Sequence, residues 1–124
     1  MNLNPVVIAA EGDITPAVTL DKANNIFEIK GWSHPEDAIK FYMPVIDWIA
    51  QYKENPNAET NFHFHFQYFN TASARQILRL IMLLKDIKGA TKIYWHSDAG
   101  DTDMEASGDR FSKMSSAPFE FVSH

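Results

Sequence analysis

The sequence predicts an α/β fold in which a mixed β-sheet is covered by helices mainly on one face, and three features lead there. From Phe62 to Tyr68 aromatic and polar residues alternate, the two-residue period of a half-buried strand. After Asn70 the period lengthens, with Ile77, Leu78, Ile81, Leu84 and Ile87 recurring at three- and four-residue intervals, as on the buried face of a helix. Across the whole chain the elements read β-β-β-α-β-α-β-α-β, and the strand–helix–strand crossovers at its end build a sheet with helices packed on it. On the central strand Phe62, Phe64, Phe66 and Tyr68 are expected to share the covered face. His63, His65 and Gln67 then share the open one.

Taken in order, Val6 to Ala9 is a short β-branched run. A second run, Ala17 to Leu20, follows Gly12 and Pro16, and Asp21-Lys22-Ala23-Asn24-Asn25 is a turn signal. Ile26 to Lys30 alternates again with Phe27 and Ile29 on one face, so the second and third strands form an antiparallel hairpin near the sheet edge, closed by Gly31. Ser33-His34-Pro35-Glu36 opens the first helix, with Ser33 as cap, Pro35 in the first turn, and Glu36 and Asp37 at the positive end of the dipole. Ala38, Tyr42, Val45, Ile49 and Tyr52 form its buried stripe, flanked by Phe41 and Trp48. Pro44 lies inside that stripe and predicts a kink or a break near Phe41 to Met43. Asn55-Pro56-Asn57 ends the helix.

The second helix carries Lys85 and Lys88 at its negative end and stops at Gly89. Ala90 to His96 is a strand, with Ile93 and Trp95 opposite Tyr94 and His96. Thr102-Asp103-Met104-Glu105 has the spacing of a capping box and starts a third helix that runs to about Met114. Pro118 to Val122 is the last strand. No internal repeat, linker or low-complexity segment interrupts the pattern.

A chain of 124 residues is of single-domain length and buries most of the surface it exposes when unfolded. Its 45% hydrophobic and 22% charged fractions are those of a globular protein. A net charge of -5 opposes nonspecific nucleic-acid binding. Without cysteine, neither a disulfide framework nor a thiolate metal site can form. The start, MNLNPVVIAAEGD, lacks the basic residues and long apolar run of a signal peptide. No apolar run approaches the ~20 residues that span a bilayer. A soluble cytoplasmic protein, with no membrane and no nucleic-acid partner, is expected.

The chemistry-bearing residues gather where the central strand meets the second helix. Asn70-Thr71-Ala72-Ser73 brings short amide and hydroxyl side chains to a helix start, where four backbone N–H groups lack intrahelical partners. On spacing alone Thr71 reads as a helix cap, and Ser73 as a side chain bonding the first-turn N–H groups. Arg75 and Arg79, one turn apart, are a solvated basic stripe or a site for a phosphate or acidic partner. His63, His65 and, from a neighbouring strand, His96 offer nitrogen ligands for zinc or another transition ion. With no carboxylate on the same strands and no Cys, a polar open face is the simpler reading. Asp98, Asp101 and Asp103 lack the glycine and distal Glu of an EF-hand and serve to cap and charge the last helix. There is no GxSxG, HExxH, P-loop or dinucleotide fingerprint, so a non-enzyme without a cofactor is expected.

Several of these motifs together resemble the SiaC family of bacterial regulatory phosphoproteins. They are Gly31-x-Ser33-x-Pro35-Glu36, Phe41-Tyr42-x-Pro44-x-x-x-Trp48, Tyr68-Phe69-Asn70-Thr71-x-Ser73 and Asp101-x-Asp103-Met104. The resemblance covers nearly the whole chain, which differs from the family pattern in Ala72, in the His63/His65 pair and in Ala99-Gly100 within the acidic run. It implies a fold similar to the STAS (anti-sigma-factor-antagonist) domain, in which a Ser or Thr at a helix N-terminus is reversibly phosphorylated. Thr71 then stands at the phosphoacceptor position, with Ser73 as the nearest rival. The implied partners are a serine/threonine kinase with a histidine-kinase-like fold, a PP2C-like phosphatase, and an effector such as a diguanylate cyclase in cyclic-di-GMP and biofilm signalling. A switch works best when the modified residue lies in the interface. The partner surface is therefore expected to combine Asn70, Thr71, Ser73 and Arg75 with Trp32, Glu36 and Asp37. The alternative function is a small-ligand or metal-binding domain using the His63/His65 face.

Overall fold

The computed structural model describes residues 3–124, so Met1 and Asn2, part of the stretch read above for a leader, lie outside the described residues. The elements are β1 (Val6–Ile8), β2 (Ala17–Asp21), β3 (Ile26–Ser33), α1 (Ala38–Tyr52), β4 (Glu59–Phe69), α2 (Thr71–Lys85), β5 (Ala90–Ser97), α3 (Thr102–Ser115) and β6 (Phe119–Ser123). They follow the order expected from the sequence. All six strands join one sheet in sequential order. Strands β1 to β3 pair antiparallel, and β3 to β6 pair parallel. Each parallel step is made through a helix. Because such crossovers are right-handed and the strand order never reverses, all three helices lie on the same face.

The core sits between that face and the helices. Val18, Leu20, Phe27, Ile29, Phe62, Phe64, Phe66, Ile93 and Trp95 rise from the sheet, and α1 and α2 lay Tyr42, Val45, Ile49, Ile77, Leu80, Ile81 and Leu84 on them. Helix α3 contributes less, chiefly Met104 and Phe111. It approaches the sheet through Gly108, where an added Cβ would lie 2.6 Å from Trp95 Nε1.

Four local expectations are corrected. The first concerns Pro44, which lies inside α1 without breaking it: α1 is one helix of 15 residues. Pro44 and Lys40, whose carbonyl loses its donor, are both exposed, so solvent can serve that carbonyl. The buried stripe from Ala38 to Tyr52 holds both halves against one core.

Ser33 is not the cap of α1. It ends β3 fully buried, and Asp37 caps the helix by accepting from Lys40 N at 3.1 Å. Asp101 replaces Thr102 as the cap of α3, accepting from Met104 N at 3.1 Å, so the capping box does not form.

Tyr68 is on the wrong face for strict alternation. The β3–β4 register runs Gly31↔Phe66 and then Trp32↔Tyr68, leaving Gln67 as an extra residue in β4. A bulge of this kind turns the following side chains over. Tyr68 is therefore 45% exposed beside Trp32 at 41%, with ring centroids 6.0 Å apart, and Phe69 takes the inward position against Phe66 and Trp95. Gly31 opens the irregularity with φ 116°, a conformation suited to glycine.

Candidate functional site

The C-terminal ends of the parallel strands converge where β4 runs into α2, the usual position for sites on open α/β sheets. Asn70 is the cap: its Oδ1 accepts from Ser73 N at 2.8 Å, and its own N–H donates to Ser33 O at 3.0 Å. Thr71 is thereby released from the capping role that spacing assigned to it. It is the first residue of α2 and is exposed, and among the described residues its hydroxyl makes no hydrogen bond.

Ser73 has the opposite fate. It is 0% exposed, and its Oγ accepts from Ser33 Oγ at 2.9 Å rather than bonding backbone N–H groups. Ser33 has only one hydroxyl proton, so Tyr42 OH must donate to Ser33 Oγ, at 2.6 Å. Burial raises the Tyr42 pKa above its ordinary value, against the opposing hydrogen bond to Ser33, and keeps the phenol protonated as that donor. The three hydroxyls form a buried chain, Tyr42 to Ser33 to Ser73, under the start of α2.

Two depressions flank Thr71. On one side, Thr71, Arg75, Leu78, Arg110, Phe111 and Met114 line a cleft between α2 and α3. Arg75 and Arg110 make no ion pair among the described residues; Arg110 bonds only Ser107 Oγ, at 3.1 Å. On the other side an open groove reaches from Ala72 to Glu36, Asp37, Ile39 and Phe41 at the start of α1. Trp32 stands apart from both, on the open sheet face, with Tyr68 and His34. Arg79 lines a separate depression that it shares with Arg75, and donates to Gln76 Oε1 at 3.2 Å. Apart from Ser73, which is buried and so removed from any partner surface, the residues expected to meet a partner gather at one end of the sheet, divided between its two faces. Arg110, on a helix distant in sequence, gave no local signal.

The open face carries a second assembly. His65 pairs with His96 across β4 and β5, and His96 pairs with Val122 of β6. His63 Nδ1 lies 2.9 Å from His96 Nε2, and His96 Nδ1 lies 2.8 Å from His124 Nε2. The His65 and His124 rings stack at 4.9 Å. Ligand atoms of His65, His96 and His124 all lie within 4.8 Å of one another. The grouping differs from His63, His65 and His96 as read in the sequence, because β6 delivers His124 and His63 bonds His96 from behind. A carboxylate reaches the cluster from outside the strands: Asp98, just past β5, places Oδ1 3.0 Å from His65 Nε2.

Burial, and then repulsion from His63, His65 and His124, lowers the His96 pKa to about 4, so it is uncharged at neutral pH. Burial also lowers that of His63, against the attraction of Glu28. The bond from His65 lowers that of Asp98.

Among the described residues no helix is long and apolar enough to cross a membrane. A comparison with curated proteins finds no match. SiaC of Pseudomonas aeruginosa superposes with a TM-score of 0.86 at 22% identity, over 98% of this chain and 99% of that one. A chain in the crystal structure of diguanylate cyclase SiaD in complex with its activator SiaC, from the same organism, gives 0.88 at 22% identity, over 96% and 99%. Apo-SiaC from that organism gives 0.83 at 19%, over 96% and 98%. These likenesses agree on the fold, sequential mixed sheet and three helices alike. The model of the SiaC family regulatory phosphoproteins matches residues 9–124, a span that takes in the β4–α2 junction and every motif noted above, and the chain belongs to that family.

Proposed function

We propose that this protein is a phosphorylation-switched activator whose phosphoacceptor is Thr71 and whose effector is a diguanylate cyclase. The observation that carries the reading is the division of labour at the start of α2, where Asn70 caps, Ser73 is buried in the hydroxyl relay, and Thr71 alone offers an exposed hydroxyl. A kinase can reach Thr71 without opening the fold. It would have to unwind the first turn to reach Ser73.

A phosphate on Thr71 adds about -1.5 to -2 charges at a helix N-terminus, where backbone N–H groups and the dipole favour an anion. Arg75 and Arg110 border the same cleft and suit a phosphate. The modified protein therefore stays folded, and the switch acts on binding. An interface that accepts neutral Thr71 must desolvate the added dianion, which weakens the complex. A serine/threonine kinase with a histidine-kinase-like fold writes the mark and a PP2C-like phosphatase removes it. The domain itself has no catalytic role and acts in the cytoplasm, and the SiaD–SiaC complex supports a cyclase as the effector.

Intact-mass measurement with phosphopeptide mapping on protein from its native host tests the assignment. A single phosphate on Thr71 is expected. A phosphate on Ser73, or a phosphorylated form that binds the cyclase as tightly as the unmodified one, overturns it.

A further inference from the structure

On the sheet face opposite the helices, we propose that His65, His96 and His124 form a binding site for a divalent transition-metal ion of the zinc type, separate from the Thr71 switch. The placement follows from the topology. Two parallel neighbours, β4 and β5, set His65 beside His96, and the residue following β6 closes the third side. His124 is not loosely held: its N–H donates to Ser97 O at 2.9 Å, and its carbonyl accepts from Ala99 N at 2.6 Å. Four of the five histidines of the chain, His63, His65, His96 and His124, meet in this cluster.

The distances suit exchange of a shared proton for an ion. His96 Nδ1 and His124 Nε2 are 2.8 Å apart. Tetrahedral zinc with Zn–N bonds of about 2.0–2.1 Å holds its nitrogens roughly 3.3 Å apart. That pair opens by a fraction of an ångström, and His65 closes from within the 4.8 Å limit of the group by side-chain rotation.

Two of the three, His65 and His96, have the outer contacts of ligating histidines, which donate their second ring N–H to a fixed acceptor. His96, using Nδ1 toward the ion, donates from Nε2 to His63 Nδ1 at 2.9 Å. His65 has Asp98 Oδ1 3.0 Å from its Nε2, which leaves Nδ1 for the ion. His63 and Asp98 are therefore positioning residues, and three protein nitrogens leave a fourth position open to water or to a partner's side chain.

The test is isothermal titration of chelator-treated full-length protein with zinc chloride, beside magnesium chloride. One equivalent of zinc is expected to bind with Kd of about 1 μM or tighter, and magnesium is expected not to bind. His65→Ala and His124→Ala each remove a ligand and are expected to weaken zinc by at least tenfold, no less than the 10–100-fold cost of losing a residue that merely orients a ligand. His34→Ala, outside the cluster, is expected to leave it unchanged, and so is Thr71→Ala, which keeps this outcome distinct from that of the switch. Circular dichroism establishes that each variant is folded. No saturable zinc uptake by the unmodified protein, or uptake unaltered in both cluster variants, overturns the proposal.

Discussion

The hydroxyls of Ser33 and Ser73 meet at 2.9 Å in the buried core, joining the end of β3 to the first turn of α2 across 40 residues of chain. Ser33 also receives Tyr42, so removing it strands two buried hydroxyls, whereas removing Ser73 strands none that lacks another partner. A buried polar group left unpaired costs about 1–3 kcal/mol, and a hydrogen bond lost with its partner still satisfied about 1 kcal/mol. Urea denaturation is expected to rank Ser33→Ala as more destabilising than Ser73→Ala. The reverse order would remove Ser33 from the centre of the relay.

At the exposed end of the same junction the outcome is the opposite. Because Asn70 and not Thr71 caps α2, Thr71→Ala should leave the melting temperature essentially unchanged, while Asn70→Ala should cost about 1 kcal/mol. Thr71→Ala should also retain effector binding while losing phosphorylation. Thr71→Asp should melt within a few degrees of the parent and bind the effector at least ~10-fold more weakly, about 1.4 kcal/mol. Calorimetry and a binding titration on the same samples separate these effects.

Glu36 is the clean probe of the groove that reaches Ala72. Its neighbour Asp37 caps α1, so charge reversal at Asp37 confuses folding with binding. Glu36→Lys is expected to weaken effector binding without lowering the melting temperature, because a like or absent counter-charge across an interface penalises association. Binding unchanged by Glu36→Lys but lost in a His63→Ala/His65→Ala double variant would move the interface to the open face.

Gly108→Ala sets helix propensity against sterics. In an unconstrained helix the change favours folding by about 1 kcal/mol. Here the new Cβ would meet the indole of Trp95, which is 1% exposed and tied through Nε1 to Met104 O at 3.0 Å. Overpacking of this kind costs typically 1–3 kcal/mol, so net destabilisation is expected. Thermal unfolding followed by tryptophan fluorescence measures it, and a stabilised variant would mean that α3 shifts freely on the sheet.

Local pattern alone determined much of this protein. The order of the elements among the described residues, the inward faces of Phe62, Phe64 and Phe66, the amphipathic α2 and the junction near Asn70 where β4 yields to a helix are properties of near neighbours in the chain, where side-chain period reports burial directly. The motifs that identify the family lie in the same short windows. Tertiary structure decided the rest. Tyr68 faces outward because β3 and β4 pair through a bulge at Gln67, and a strand's own alternation carries no record of its partner's register. Pro44 stays in an unbroken helix because a core assembled from distant strands holds both of its halves. Ser33 forgoes capping for a hydroxyl partner 40 residues away. His124 joins His65 and His96 because parallel pairing sets β6 beside β5 and β5 beside β4, bringing together side chains whose separation along the chain no periodicity spans.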